Sequence, residues 1–326
     1  MKVAIAQIAP VVLDRKATLD KVQKSVHEAA DAGCKLVCFG ETFAPAYPFW
    51  LCRTDAARFN ADDQKEIHAL YLDQGIKIPV DGFELNPEEN HLADVCEIAR
   101  SREISVMVGV AERAIDRGSH TLYCSRVFIS GESPTGGQIL SVHRKLMPTY
   151  EERLSWGSGD GAGLVTHPLG EFRVGGLNCW ENWLPLARTT LYADGETIHV
   201  MLWPGCERLT HDITRFVAKE GRLFVVSASG IIRNEDIPAN VPYRSQMLDE
   251  DGIYDGGSCI AGPNGEWIVE PVVNQEKLIV AELDYKTILG ERQNMDPSGH
   301  YSRPDVFQLK VDRTRQRLVN GDSPSS

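Results

Sequence analysis

Apolar and polar residues come in blocks that change period along the chain. Residues 3–9 form an apolar run fit for a buried strand, and 13–32 then carry Leu19, Val22, Val26 and Ala29-Ala30 on one helical face before Gly33 stops it. The next strand, Leu36-Val37-Cys38-Phe39, ends in Gly40-Glu41-Thr42-Phe43 ahead of a loop with Pro45 and Pro48. Helices are predicted at 55–73 and 90–102, with a loop rich in Gly, Pro and acidic residues at 74–89 between them, followed by a strand at 104–110. Residues 121–130 and 138–142 read as strands around a Gly- and Pro-bearing turn, and the second runs into His143-Arg144-Lys145-Leu146. Residues 149–163 lack apolar periodicity and are dense in glycine, which predicts a long ordered loop with one helical turn, the kind of loop that carries function.

In the second half the βα rhythm resumes. Phe172 and Val174 alternate with Arg173, two glycines follow, and Asn182 and Pro185 favour a helix start beyond Cys179, so this stretch reads as strand, tight elbow, helix. Next come a helix at 185–193, a strand at 197–203, a helix at 210–220 and a strand at 223–228. Closing strands fall at 258–262, 266–270 and 277–283, before a short helix at 284–292. Strands joined by both helices and hairpins predict an α/β fold of mixed sheets with helices on the outer faces. A TIM barrel needs strict alternation of strand and helix, which 121–178 breaks. No composition break marks a linker, so 1–311 is expected to be one domain and 312–326 a tail without core pattern.

Charge narrows the function. The net charge, 34 minus 46 or -12, disfavours a nucleic-acid partner, and Arg313, Arg315 and Arg317 near the C-terminus read as a solvated tail. No apolar run approaches the roughly 20 residues that cross a bilayer, and no apolar signal region precedes the first strand, so a cytoplasmic protein with no membrane partner is expected. The eight cysteines are scattered without a CxxC pair and read as reduced thiols. Cys34 and Cys38 have no histidine or second cysteine pair at ligand spacing nearby, and no metal site is expected.

Glu41, Lys145 and Cys179 each follow a predicted strand, where α/β folds place their chemistry. Taken singly, Glu41 reads equally as a surface carboxylate, Lys145 as a solvated lysine beside Arg144, and Cys179 as a thiol filling core volume. Taken together, a thiol, a base and a cation are what hydrolysis of a carbon-nitrogen bond demands. An elbow lifts a thiol out of the packed layers, and the positive end of a nearby helix would favour its thiolate.

The stretch Gly175-Gly176-Leu177-Asn178-Cys179-Trp180-Glu181-Asn182-Trp183-Leu184-Pro185 resembles the nucleophile signature of the nitrilases, in the carbon-nitrogen hydrolase superfamily. His143-Arg144-Lys145-Leu146-Met147-Pro148, continuing through Glu152 to Trp156-Gly157-Ser158-Gly159-Asp160-Gly161, resembles the lysine segment of that family, and Phe39-Gly40-Glu41-Thr42-Phe43 its glutamate segment. The resemblance implies Cys179 as nucleophile, Glu41 as general base, Lys145 as cationic stabiliser and Glu152 as a second glutamate that positions substrate or lysine, with Glu181 a structural partner of the elbow. It implies a four-layer α-β-β-α sandwich, no metal or organic cofactor, a small-molecule nitrile and water as substrates, and homodimers paired through helices, often in larger spiral assemblies. Tyr47, Trp180 and Trp203, with Phe49 and Trp50, are candidates to line an apolar substrate pocket. One departure stands out: the family pattern Pro-Gly-Tyr-Pro is here Pro45-Ala46-Tyr47-Pro48, and an alanine is strained wherever that glycine takes a positive φ. The rival activities are an amidase or carbamoylase of the same superfamily and, from another class, a non-catalytic binding or assembly protein that has kept the fold.

Overall fold

The computed structural model describes residues 1–80, 85–86 and 89–318. Its first half contains β1 (Lys2–Gln7), α1 (Arg15–Asp31), β2 (Leu36–Cys38), α2 (Trp50–Arg53), α3 (Asp62–Gln74), α4 (Ala93–Arg102), β3 (Ser105–Arg113), β4 (Leu122–Ile129) and β5 (Ile139–Arg144). Then follow β6 (His167–Leu169), β7 (Phe172–Asn178), α5 (Pro185–Ala193), β8 (Ile198–Trp203), α6 (Glu207–Gly221), β9 (Phe224–Ser229) and β10 (Ile231–Ile232). The chain closes with α7 (Arg244–Met247), β11 (Tyr254–Ala261), β12 (Trp267–Val273), β13 (Lys277–Glu282) and α8 (Tyr285–Glu291).

These strands build two mixed sheets, one ordered β13-β1-β2-β3-β4-β5 and the other β10-β11-β9-β8-β7-β6, with β12 also paired to β11. Parallel pairs β1/β2/β3 and β7/β8/β9 lie at the centre of each sheet, where βαβ crossovers place helices on one face. The other faces meet. Ile5, Cys38, Met107 and Phe128 of the first sheet pack with Val174, Val200, Leu202 and Val226 of the second. On the outer side of the first sheet, Ala4, Val37 and Val106 pack against Val22 and Val26 of α1 and Val95 and Ala99 of α4. On the outer side of the second, Met201 and Val225 meet Ile213 and Val217 of α6, while Leu177 meets Ala187 and Leu191 of α5. Successive residues of a strand face opposite layers, so a strand covered on both faces reads as an unbroken apolar run. The result is the α-β-β-α sandwich expected from the resemblance.

Local signals account for some element ends. Asp14 caps α1 by accepting from the Ala17 amide at 2.9 Å, and Pro185 opens α5. The helix expected at 55–73 begins only at Asp62, because Asp55 and Asn60 take left-handed backbone (φ 52 and 62) that an α-helix cannot contain. The single turn α2, the short strands β6 and β10 and the short helix α7 are too brief to leave a periodic trace. Part of the loop expected at 74–89, residues 81–84 and 87–88, lies outside the described residues.

The basic group near the C-terminus departs from expectation. Arg315 is buried, ion-paired with Asp160 at 3.0 Å and bonded to the Val142 carbonyl, and Arg313 bonds both carboxylate oxygens of Asp194 at 3.0 Å. This segment is a strap over the glycine-rich loop and not a solvated tail over these two residues. Among the described residues no helix is long and apolar enough to cross a membrane.

Strand direction explains why distant segments converge. Two antiparallel steps, β3 to β4 and β4 to β5, return β5 to the direction of β2 and β3, so the residues just beyond β2 and β5 leave the first sheet at the same end. The second sheet meets them there: the Glu41 amide donates to the carbonyl of Trp203, the last residue of β8, at 3.0 Å.

Candidate active site

Cys179 directly follows β7 and opens a short 3-10 turn, Cys179–Trp183, that leads to α5. It is buried, and its φ of 49° is a left-handed conformation that costs a β-carbon-bearing residue about 1 kcal/mol or more. Hydrogen bonds hold it there. The Asn182 side-chain amide donates to the carbonyls of Cys179 at 2.8 Å and Leu177 at 3.3 Å. With its nitrogen so committed, Asn182 turns its oxygen to His199 Nε2 at 2.9 Å, and His199 Nδ1 faces both oxygens of Glu196 at 2.9 and 3.0 Å. All three residues are fully buried. A histidine inside an otherwise apolar strand, three residues from a glutamate, was the signal available in the sequence for this chain of bonds.

Glu181 supplies the second brace. Its Oε1 accepts from the Asn178 amide at 2.6 Å and lies 2.8 Å from His143 Nε2, while its Oε2 accepts from the Leu146 amide at 3.0 Å. One carboxylate therefore ties the elbow after β7 to the residues on either side of Lys145. Burial alone would push the Glu181 carboxyl up, but His143 and the two amides outweigh it and hold it below its ordinary value. This is the structural role expected for Glu181.

Lys145 is fully enclosed. Its ammonium donates to Glu41 Oε1 at 2.9 Å and Glu152 Oε2 at 2.7 Å, and lies 5.8 Å from the Trp156 ring centroid. Burial opposes its charge, yet the acidic groups around it, Cys179, Glu41 and Glu152, prevail, and the pKa stands well above that of a free lysine. Arg144, its neighbour, is also buried, paired with Glu112 and Asp116, so neither residue is solvated. The glycine-rich loop lies flat on this strand end: the Gly159 amide donates to the Lys145 carbonyl at 2.8 Å, and a β-carbon at Gly159 would stand 2.1 Å from the Arg144 carbonyl oxygen.

The two glutamates differ in their free capacity. Glu152 has both oxygens engaged, Oε2 by Lys145 and the Thr149 amide at 2.6 Å, and Oε1 by the Tyr47 hydroxyl at 2.8 Å. Glu41 Oε1 accepts from Lys145 and from the Cys124 thiol at 3.3 Å, whereas its Oε2 is buried without a partner among the described residues. Burial raises the Glu41 pKa, Lys145 opposes, Glu152 adds to the rise, and the group settles at about 7. Cys179 Sγ and one oxygen from each of these glutamates lie within 4.8 Å of one another. Three such ligands could hold a metal ion, but the Lys145 ammonium already bridges both carboxylates and supplies the positive charge.

The Cys179 thiol is pushed well up by burial and by the charge of Glu41, with Lys145 and the Trp180 amide pulling the other way. The resting group is thus a thiol and not the thiolate that a helix terminus would favour. The reason is geometric. The residues after Cys179 form only a 3-10 turn and α5 starts six residues on, whereas a helix dipole acts within its own first turn.

The structure brings Glu41, Lys145, Glu152 and Cys179 together and separates the three aromatic candidates. Tyr47 belongs to the cluster through Glu152 and packs edge-on against Trp156 and Tyr254, with centroids at 5.6 and 5.8 Å. Trp203 is fully buried in the cluster that also holds Cys179, Met201, Ile213 and Val217, and its backbone carbonyl holds the Glu41 amide. Trp180 is 47% exposed and packs on Trp183. Phe49 and Trp50 are core residues. Trp156, Tyr254 and Cys124 were not singled out from the sequence; Cys124 sits inside an apolar strand, where nothing marks it.

A family model described as "Carbon-nitrogen hydrolase" matches residues 2–290. The chain belongs to the carbon-nitrogen hydrolase family. Within it the similarity runs to nitrilases. The chain is 35% identical to a "Nitrilase 2" from an unknown prokaryotic organism over 98% of this chain and 95% of that protein. It is 35% identical to an "Aliphatic nitrilase" of Rhodococcus rhodochrous over 100% of this chain and 84% of that one, and 33% identical to "Nitrilase 3" of Arabidopsis thaliana over 98% and 89%. Among solved structures, a cysteine-to-serine mutant of the Nesterenkonia AN1 amidase of the nitrilase superfamily superposes with a TM-score of 0.63 at 17% identity, covering 90% of this chain and 96% of that one. At that identity the likeness concerns the fold.

The substitution in the glutamate loop has the consequence anticipated for it. Ala46 has φ 120°, a region natural only to glycine, and its carbonyl accepts from the Tyr71 hydroxyl, so the loop cannot relax freely. Ala46→Gly is expected to raise stability by about 1 kcal/mol in denaturant unfolding, with an unchanged denaturant slope.

Proposed function

We propose that this protein hydrolyses an organic nitrile to the carboxylic acid and ammonia, with Cys179 as nucleophile, Glu41 as general base, Lys145 as cationic stabiliser and Glu152 as the group that positions Lys145. The observation that carries these roles is the unequal occupancy of the two glutamates. Both oxygens of Glu152 are hydrogen-bonded, whereas Glu41 has one buried oxygen without a partner among the described residues, in a carboxylate that has an oxygen within 4.8 Å of the Cys179 sulfur. The nitrile substrate is supported by relatives named nitrilases at 33–35% identity over almost the whole chain.

Glu41 takes the Cys179 proton as sulfur adds to the nitrile carbon, and that proton passes to the nitrogen to give a thioimidate. Water, deprotonated by Glu41, adds to the same carbon, and protonated nitrogen leaves the tetrahedral intermediate as ammonia. A second water cleaves the remaining thioester, releasing the acid and returning the proton to sulfur. A thiol at rest suits this sequence, because the base that accepts its proton then serves both waters. Lys145 and the Trp180 amide face the charge that develops on nitrogen and oxygen. The chemistry calls on no metal or organic cofactor.

For assembly we propose a homo-oligomer that buries the exposed apolar face beside the elbow. Trp183 is 42% and Phe216 50% exposed, their rings stacked 6.5 Å apart, and Trp180, Leu184 and Leu186 continue the patch. A contiguous patch of this kind is uncommon on a monomer.

Three measurements test these readings. Purified protein given aliphatic, aromatic and arylacetonitrile substrates, each beside its amide, should release ammonia from the nitrile in preference. Cys179→Ala should abolish that release; ammonia from the amides alone would make the protein an amidase, and undiminished turnover in the variant would remove Cys179 from the reaction. Because the base must be ionised and the Glu41 pKa is about 7, kcat/KM for an uncharged nitrile should fall about tenfold per pH unit below pH 7. Sedimentation velocity should show a dimer or larger species that Trp183→Glu shifts toward monomer.

A further inference from the structure

We propose that Cys124 is a positioning residue for the base: its thiol, together with the Lys145 ammonium, ties down one oxygen of Glu41 and so reserves the other for the proton of Cys179. The inference rests on the reading of Glu41 as base and goes beyond it by naming what keeps the carboxylate in one orientation. A carboxylate has two chemically equal oxygens and turns about a soft terminal bond, so an unconstrained Glu41 would exchange them. Here both donors fall on the same oxygen: Lys145 Nζ at 2.9 Å and Cys124 Sγ at 3.3 Å from Oε1. Oε2 receives none.

Cys124 is well placed for the task. It is buried in β4 and also offers its backbone carbonyl to the Lys145 amide at 2.8 Å, so one residue holds both the base and the chain that carries the cation. The strand itself is fixed, since the next residue, Ser125, donates to Glu112 at 2.6 Å, and Glu112 is paired with Arg144. Burial, with Glu41 beside it, pushes the Cys124 thiol far up, so it keeps its S–H and remains a donor across the working range. The ionisable groups around Glu41 are Lys145 after β5, Glu152 from the turn Tyr150–Leu154, Cys179 from the elbow and Cys124 from β4, with the hydroxyls of Tyr47, Tyr71 and Tyr254 beyond them. Of these, Cys124 and Lys145 donate hydrogen bonds to the carboxylate.

The sign of the effect follows. A donor to a carboxylate favours its ionised form, so removing the thiol should make the base harder to ionise, and a stronger donor should make it easier. The test compares full-length wild type, Cys124→Ala and Cys124→Ser. The readout is the pH profile of kcat/KM for a nitrile that the wild type turns over. The acid limb should move up by about half a pH unit or more in Cys124→Ala and down by a similar amount in Cys124→Ser, which keeps a donor of nearly the same size. An acid limb that stays in place in both variants, even with a lowered plateau, would show that Cys124 only fills space. The serine variant keeps the test alive should the alanine variant fail to fold. If the wild type turns over no nitrile, the reading of function fails separately. The same comparison is then made on the pH dependence of iodoacetamide alkylation at Cys179, followed on the peptide that carries it. Shifts in the same directions would support the proposal, and coincident profiles would overturn it.

Discussion

Lys145 holds its ammonium out of water, bridged between Glu41 and Glu152, and a buried cation persists only while its partners stay in place. Removing one partner of such a pair costs about 3–5 kcal/mol, comparable with much of the net stability of a domain. Three segments, two of them seven residues apart and the third 104 residues from Lys145, are thereby bound to one geometry. The glutamate loop after β2, the strand end after β5 and the turn that carries Glu152 cannot separate without stranding a charge. The other braces serve this arrangement: the Trp203 carbonyl fixes the Glu41 amide from the opposite sheet, and Glu181 pins the Lys145 strand to the elbow.

The same charges set the protonation of the site. Two carboxylates share one ammonium, and this excess of negative charge, added to burial, lifts Glu41 to about 7 and keeps Cys179 as a thiol. A base poised near neutrality can both accept and return a proton, and a nucleophile that is formed only on demand is protected from adventitious electrophiles. Reactivity therefore belongs to the group of side chains and not to the cysteine alone.

Energetic tension is concentrated where the chemistry is. Cys179, Thr42 and Ala46 all adopt positive φ close to the site, each at a cost met by surrounding hydrogen bonds and packing. At the elbow the bonds come from Asn182, itself held by His199 and Glu196, a fully buried polar chain that reaches through the second sheet. Such a chain rigidifies the nucleophile because every member is satisfied, and a partly satisfied one would be worse than an apolar core.

Much of this was legible along the chain. Periodicity locates most of the helices and strands, because a face that packs on a layer must repeat with the geometry of its element. The sequence by itself determined that Glu41, Lys145 and Cys179 follow strand ends, and its long motifs carried the resemblance that the family comparison confirmed. It also marked Ala46 as a strained replacement. What it could not determine are properties of neighbours that have no fixed spacing in sequence: which glutamate has a free oxygen, that Cys124 touches Glu41, that the Trp203 carbonyl holds the Glu41 amide, and that Arg313 and Arg315 strap the surface. Those were decided by tertiary structure alone, because proton affinity and hydrogen-bond partnership depend on which groups meet in space after water has been excluded, and one-dimensional order does not carry that information.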